Sequence, residues 1–546
     1  MTLSATPGRI QIVRSIASAS LLAILTLCCT AQSPKPSSTP DPAFVAEDVH
    51  VAPYRRQPEL RGSFSGKQYI LRDATMANMI SMANSFDPKY VVGGPTWLDW
   101  NRYDVFALMP PKAQQNEIRP MLRSMLADRF KLVTHTENRP LPAYVLTATP
   151  DKLKIKKANP TDDAGCQVKP QNPPPGTVPR IVVSCRNVMM GDFVSFLRRF
   201  SAAHLTSAVV DSTGLTGAWD FDLEFTEKNK LAAAGADAVT LFDAIDKQLG
   251  LQLTMGTSPI PVLVIDSVNE KPTPNSPGLA KVMPPATPAE FEVSVIKPSK
   301  PDTKMDGDLS GGQIKIQGAT LDFLIRTAWD LPNNGPMLQG APKWLTEDHF
   351  DILAKAPREP GAPELDEDDL LPMLRQLLAE RFKLVTHTED QPLDAYNLVA
   401  VNPRLQKSAP DTRTKCGQMP GADGKDPRAT NPILNRLLTC QGITMAQFAG
   451  QIQTLASGYI KTPVLDNTGI DGAYDFTLSY SGANKVRGGG APEDLAPIDS
   501  SAAADPNGAI SFFDALNKTL GLRLVKVKRP ISVLVIDHVD EKPTEN

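Results

Sequence analysis

Two short stretches of this chain place acid–base residues at a spacing that chemistry can use. Thr134-His135-Thr136-Glu137 and Thr386-His387-Thr388-Glu389 each separate a histidine from a glutamate by one residue. On a β-strand alternate side chains share a face, so imidazole and carboxylate would stand together, as a base with its orienter or as two ligands of a metal ion. The plainer account is a polar strand face beside water, and a metal site wants a third ligand. The other histidines, His50, His204, His349 and His538, occupy unmatched positions. The expectation is therefore no metal, no cofactor and no assigned catalytic residue, with His135, Glu137, His387 and Glu389 as the candidates to follow.

Trp97 and Trp344 each lie in a Pro-x-Trp-Leu turn. An exposed indole there could be a platform for a sugar or peptide, but a leucine follows in both places and a plug at the edge of a core is the favoured reading. Asp211 and Asp466 head Asp-x-Thr-Gly segments. A tight turn selects the same residues, and an aspartic protease would need two carboxylates sharing one proton. Signature loops for nucleotides, the serine-hydrolase elbow and the zincin helix are absent from the sequence.

The motifs come in pairs because the chain is written twice. Met121–Glu137 recurs as Met373–Glu389, identical at 14 of 17 positions. Tyr103-Asp104-Val105 answers Phe350-Asp351-Ile352, Asp211–Phe221 answers Asp466–Phe476, and Val262-Leu-Val-Ile-Asp266 answers Val533-Leu-Val-Ile-Asp537. The copies are expected at 44–273 and 291–546, joined by a Pro-rich linker over 274–290, with a disordered insertion at 481–508. Residues 271–290 hold six prolines.

Ahead of the copies, Arg9 and Arg14 precede an apolar run that ends in Cys29-Thr30-Ala31. This pattern reads as a signal peptide over 1–31, followed by a Pro/Ser-rich tether over 32–43. Leu27 before Cys28 is bulky for lipoprotein processing, so soluble export to the periplasm or beyond ranks above lipid anchoring at Cys28 or Cys29. No later segment is long and apolar enough to suggest a transmembrane span. With 57 basic against 60 acidic residues, the overall balance does not point to nucleic acid. Four cysteines remain after cleavage and allow three connectivities. The duplication selects Cys166 with Cys185 and Cys416 with Cys440, expected in the connection between the halves of each copy.

Positioning these residues requires short strands punctuated by amphipathic helices, an α+β pattern rather than a βαβ series. In the second copy strands are expected near 291–296, 313–316, 349–354, 383–389, 395–401, 474–480, 522–525 and 531–539, and helices near 320–329, 371–381, 444–456 and 511–520. Leu370, Leu374, Leu377 and Leu378 recur at helical spacing, and Pro372 suits a first turn. A fainter echo links Gly318-Ala-Thr-Leu to Gly442-Ile-Thr-Met and Phe350-Asp351 to Tyr474-Asp475. It suggests that each copy is itself two small subdomains of antiparallel sheet covered by helices.

Phe291-Glu-Val-Ser-Val-Ile-Lys-Pro-Ser, Gly318-Ala-Thr-Leu, Pro342-Lys-Trp-Leu, Leu378-Ala-Glu-Arg-Phe-Lys-Leu, Asp466-Asn-Thr-Gly-Ile-Asp-Gly and Val533-Leu-Val-Ile-Asp-His-Val complete the set of motifs. Together they resemble the Solibacter-type uncharacterised exported family, a domain of unknown function expanded in Acidobacteria. The resemblance covers 291–546 and, more loosely, 44–273. It departs at Phe44-Val-Ala-Glu-Asp-Val-His-Val-Ala-Pro and at Asn187-Val-Met-Met. It implies an exported compartment and leaves the activity open. The leading expectation is an extracytoplasmic, non-catalytic binding or scaffold module, its partner an envelope protein, peptide or glycan. The alternative is an envelope hydrolase working from the His/Glu strand face.

Overall fold

The computed structural model describes residues 41–545 apart from 54, 56–57, 160–162, 171–177, 284–289, 301, 358–364, 411, 420–425, 427, 429 and 487–507. The expected signal peptide, most of the tether, part of the linker and most of the insertion lie outside the described residues.

The fold is α+β and repeats at two levels. In the first half of the first copy, an antiparallel sheet runs in the order Ala46–Val51, Arg102–Leu108, Gln68–Thr75, Arg61–Ser65. Helices Met76–Asn84 and Ile118–Phe130 contribute to the same core. The second half repeats this order with Lys156–Lys157, Ala218–Thr226, Arg180–Met189 and Gly165–Lys169. The helices in its core are Met190–Phe200 and Leu241–Ala244, the latter continuing as a π-helical turn over Ile245–Leu249.

Two long antiparallel strands, Val133–Ala148 and Leu251–Ser267, join the halves. The second of them serves both cores. Leu263 and Ile265 pack in the first-half core, whereas Leu251 and Leu253 of the same strand pack with Leu146 in the second. Short parallel strands complete this sheet, Val91–Val92 beside the one and Ala208–Asp211 beside the other. The second copy reproduces the plan, with Val385–Ala400 and Leu522–His538 as its long pair.

One device recurs in all four halves and sets where the hairpin strand ends and the helix begins. A strand aspartate that follows an aromatic residue accepts a hydrogen bond from the backbone N–H of a residue held at positive φ. The pairs are Asp104 with Asp73 (2.9 Å), Asp220 with Asn187 (2.8 Å), Asp351 with Gly318 (3.1 Å) and Asp475 with Gly442 (2.8 Å). The donors have φ of 53°, 49°, 67° and 59°. Register shifts in each sheet coincide with this contact, so the device is a β-bulge that turns the chain toward its helix. Asn187 replaces glycine because Asn and Asp tolerate the left-handed region. Where the next positions allow, a threonine caps the helix: Thr75, Thr320 and Thr444 accept from the N3 amide, whereas Met189 offers no side-chain cap.

Several expectations shift. Strands expected as separate at 383–389 and 395–401 are one strand, Val385–Ala400, and those at 522–525 and 531–539 are likewise Leu522–His538. Pro392 faces Pro530 across the pair, as Pro140 faces Pro259 in the first copy. A two-stranded ribbon accommodates proline where the missing N–H would point away from the partner strand. The helix expected from 371 spans Glu367–Phe382, four residues earlier, because Asp366 caps it in a box with Asp369. Pro372 therefore sits in the second turn, forfeiting one internal hydrogen bond. Cys166 faces Cys185 and Cys416 faces Cys440 across antiparallel strands, with Cα atoms 4.1 and 4.0 Å apart. The disulfides thus staple the outer hairpin of each second half rather than a loose connection between halves.

Gly442 offers a test of the bulge. A Cβ there would lie 2.8 Å from the Thr412 carbonyl oxygen, whereas at Gly469, also at positive φ, it would meet nothing within 4 Å. Gly469→Ala is expected to cost about 1 kcal/mol from the left-handed backbone alone. Gly442→Ala should cost at least twice that, about 2–4 kcal/mol. Denaturant unfolding of the two variants checks the difference, and equal midpoints would contradict it.

Candidate functional site

The long-strand pair carries the acid–base residues. His135 and Glu137 lie near the start of Val133–Ala148, and the opposing strand ends in a bulge at Asp266. There the carboxylate meets the imidazole: His135 Nδ1 is 2.9 and 3.0 Å from the two Asp266 oxygens. In the second copy His387 Nδ1 is 2.9 Å from both oxygens of Asp537. The Nε2 atoms stand 3.8 Å from Glu137 and 3.7 Å from Glu389, beyond hydrogen-bonding reach. Each glutamate is held by its own strand neighbour, Arg139 at 2.5 Å or Gln391 at 2.7 Å.

The arrangement is a carboxylate-oriented imidazole with Nε2 turned toward solvent, built twice. The hydrogen bond to Asp266 or Asp537 favours the charged ring and raises both histidine pKa values above their ordinary value, helped by the charges of the same aspartate and of the nearby glutamate. Such an imidazole can exchange protons near neutrality or offer a nitrogen lone pair. The site is open: the His135, Asp266 and Glu137 side chains are 50%, 40% and 42% exposed. Among the described residues no group of three His, Cys, Asp or Glu side chains is placed to hold a metal ion. Asp266 and Asp537 escaped the sequence reading of this face, although the repeated Val-Leu-Val-Ile-Asp segment carried the signal.

Trp97 and Trp344 are partly buried and pack against the first-half core of their copies, in turns Thr96–Asp99 and Lys343–Thr346. Asp211 and Asp466 each accept hydrogen bonds from the amide and hydroxyl of the threonine two residues on, at 2.7–2.9 Å, so both close local turns.

The copies meet along charged seams. Arg72 binds Asp369 at 2.6 Å and Asp366 at 3.0 Å, while Arg55 and Arg61 both engage Asp368. On another surface Asp99 receives Arg413 through two nitrogens at 2.6 and 2.8 Å and the Thr414 amide at 3.2 Å. The Asp368 and Asp369 side chains are only 8% and 10% exposed, so these ion pairs lie largely away from water, where each charge depends on its partners. These residues differ between the copies: the hairpin positions of Arg61 and Arg72 are Asp306 and Gln317 in the second. A polar cleft of about 370 Å³ opens at this seam beside Arg61, Arg326 and Asp368.

The chain belongs to the family described as "Protein of unknown function (DUF3738)", whose model matches residues 77–268 and 322–539, one segment in each copy. No curated protein and no solved structure matches it.

The histidine geometry yields a titration test. Both imidazoles should titrate above about 6.5, the ordinary value, in NMR spectra of the folded protein. Because the folded pKa is raised, the stabilisation from each pair is fully present below about pH 6.5 and is lost as pH rises through the folded midpoint. Asp266→Asn should return His135 toward the ordinary value and leave His387 in place. An unchanged His135 midpoint would dismiss the pair as its cause.

Proposed function

We propose that the chain is exported and acts in the cell envelope as a non-catalytic binding or scaffold protein, its two copies forming one body. The observation that carries this reading is the docking of the copies. The Arg72–Asp369 and Arg413–Asp99 contacts hold two similar surfaces at a fixed separation. A bivalent body gains avidity without new contacts when its sites match the spacing of a partner. Export is supported by the two cysteine pairs at disulfide distance, and no helix among the described residues is long and apolar enough to cross a membrane.

A hydrolase is the second reading, favoured by the His135–Asp266 and His387–Asp537 pairs. Against it stands the setting, an open strand surface where water screens charge and substrate would not be enclosed. The test uses the full mature chain, wild type and His135→Ala/His387→Ala, measured for retention of envelope material and for turnover of ester, peptide and glycoside substrates. Equal retention by both proteins, with no turnover by either, is expected. Turnover that disappears in the double variant would replace the binding reading with the hydrolase.

A further inference from the structure

The two long-strand ribbons have the same backbone and different surfaces. Leu522–His538 aligns residue for residue with Leu251–Ser267, with nearly the same burial along its length. Where the first copy has Gln252, Met255, Thr257 and Ser258, the second has Arg523, Lys526, Lys528 and Arg529. All four cations are exposed. Among the described residues, Asp394 lies 3.7 Å from Lys528, both well exposed, and the Asn397 side chain accepts from Arg529 at 3.2 Å. Four positive charges within seven residues stand out in a chain whose formal net charge is −3, and the overall balance hides them.

These cations flank an open strand edge. Leu522–His538 pairs with Val385–Ala400 on one side, and on the other only Leu534 and Val535 are matched, by Leu338–Gln339. Between Arg523 and Ser532 no strand lies on that second side among the described residues. Strand alternation sends Lys526 and Lys528 to one face and Arg523 and Arg529 to the other. Cations on an edge can serve only to prevent self-pairing. Among the described residues the first copy likewise pairs no strand with this edge ahead of Leu263, without such charges, and carries there Pro259 and Pro261, which have no N–H to offer. The second copy has Ser532 in place of Pro261, restoring a donor as it adds the charges.

We infer that the edge of Leu522–His538 in the second copy is a docking site for an acidic peptide segment, which adds as an extended strand with carboxylates on both of its faces. Backbone hydrogen bonds to the open edge would supply register, and the four cations would select the partner and exclude a second copy of this chain. This rests on the reading of the chain as a binding protein and names its partner by chemistry.

The probe is a fluorophore-labelled synthetic peptide of glutamate and valine, with glutamates on both faces of the strand it would form, titrated into the full mature chain. Saturable binding that weakens with salt is expected, with new hydrogen-exchange protection confined to amides of 523–532. Lys526→Gln/Lys528→Gln/Arg529→Gln, all exposed positions, should weaken binding at least tenfold with the far-ultraviolet circular dichroism unchanged. Absence of saturable binding, or equal affinity of the triple variant, overturns the inference. So does tight binding of an acidic polysaccharide that matches the peptide and brings no amide protection, since that marks a general polyanion surface. If the peptide fails while envelope retention persists, this surface is wrong and the binding reading stands; if both fail, both fall.

Discussion

A single hydrogen bond, from a backbone amide at positive φ to a strand carboxylate, organises each quarter of this molecule. Asp104, Asp220, Asp351 and Asp475 perform the same task on four strands. Each fixes the bulge that ends one strand and aims the following helix across the sheet. The aromatic residue ahead of the aspartate then enters the core the helix covers. Tyr103 and Phe350 meet Phe130 and Phe382 edge to face at 5.0 and 5.1 Å. At Asp73, where the bond is buried, loss of the Asp104 carboxylate would orphan the amide, at a cost of about 1–3 kcal/mol. Polar local chemistry and apolar packing are thus coupled at one dipeptide.

That coupling explains what could be read from the sequence. The echo between Gly318 and Gly442 was visible because glycine marks a positive-φ position, and Phe350-Asp351 and Tyr474-Asp475 marked its partner. The same device in the first copy was obscured, because Asp73 and Asn187 reach that conformation with ordinary side chains. Strand Tyr474–Tyr480 was legible from strict alternation. The long strands were not, since Pro392 and Pro530 read as breaks until two prolines are seen to face each other. Arg436–Ile443 was missed for lack of alternation: Leu437, Leu438, Thr439 and Cys440 are all buried. At the acid–base site the histidine and glutamate were evident from local spacing, whereas Asp266 and Asp537 come from strands more than a hundred residues away.

Divergence between the copies is as informative as their likeness. Shared residues build the fold and the His–Asp pairs. Residues that differ build what each copy does alone: Arg61 and Arg72 on one hairpin, Asp368 and Asp369 at the start of the other copy's helix, and the cationic edge near Lys526. The seam joins unlike surfaces, a kind of contact that can propagate, but the second copy has Asp306 and Gln317 where the first has Arg61 and Arg72, so the same seam does not repeat. Duplication supplied two scaffolds, and subsequent change assigned them different neighbours.

The strands shared between halves impose an order of events on the nascent chain. Leu263 and Ile265 complete a core whose other members begin near Phe44, and Leu534 and Ile536 do the same for the core that includes Ile296. Neither core can close until the last strand of its copy has emerged from the ribosome. Contacts this distant in sequence slow folding. For the export proposed above, such delay is an advantage, because the polypeptide stays pliable until its final residues arrive.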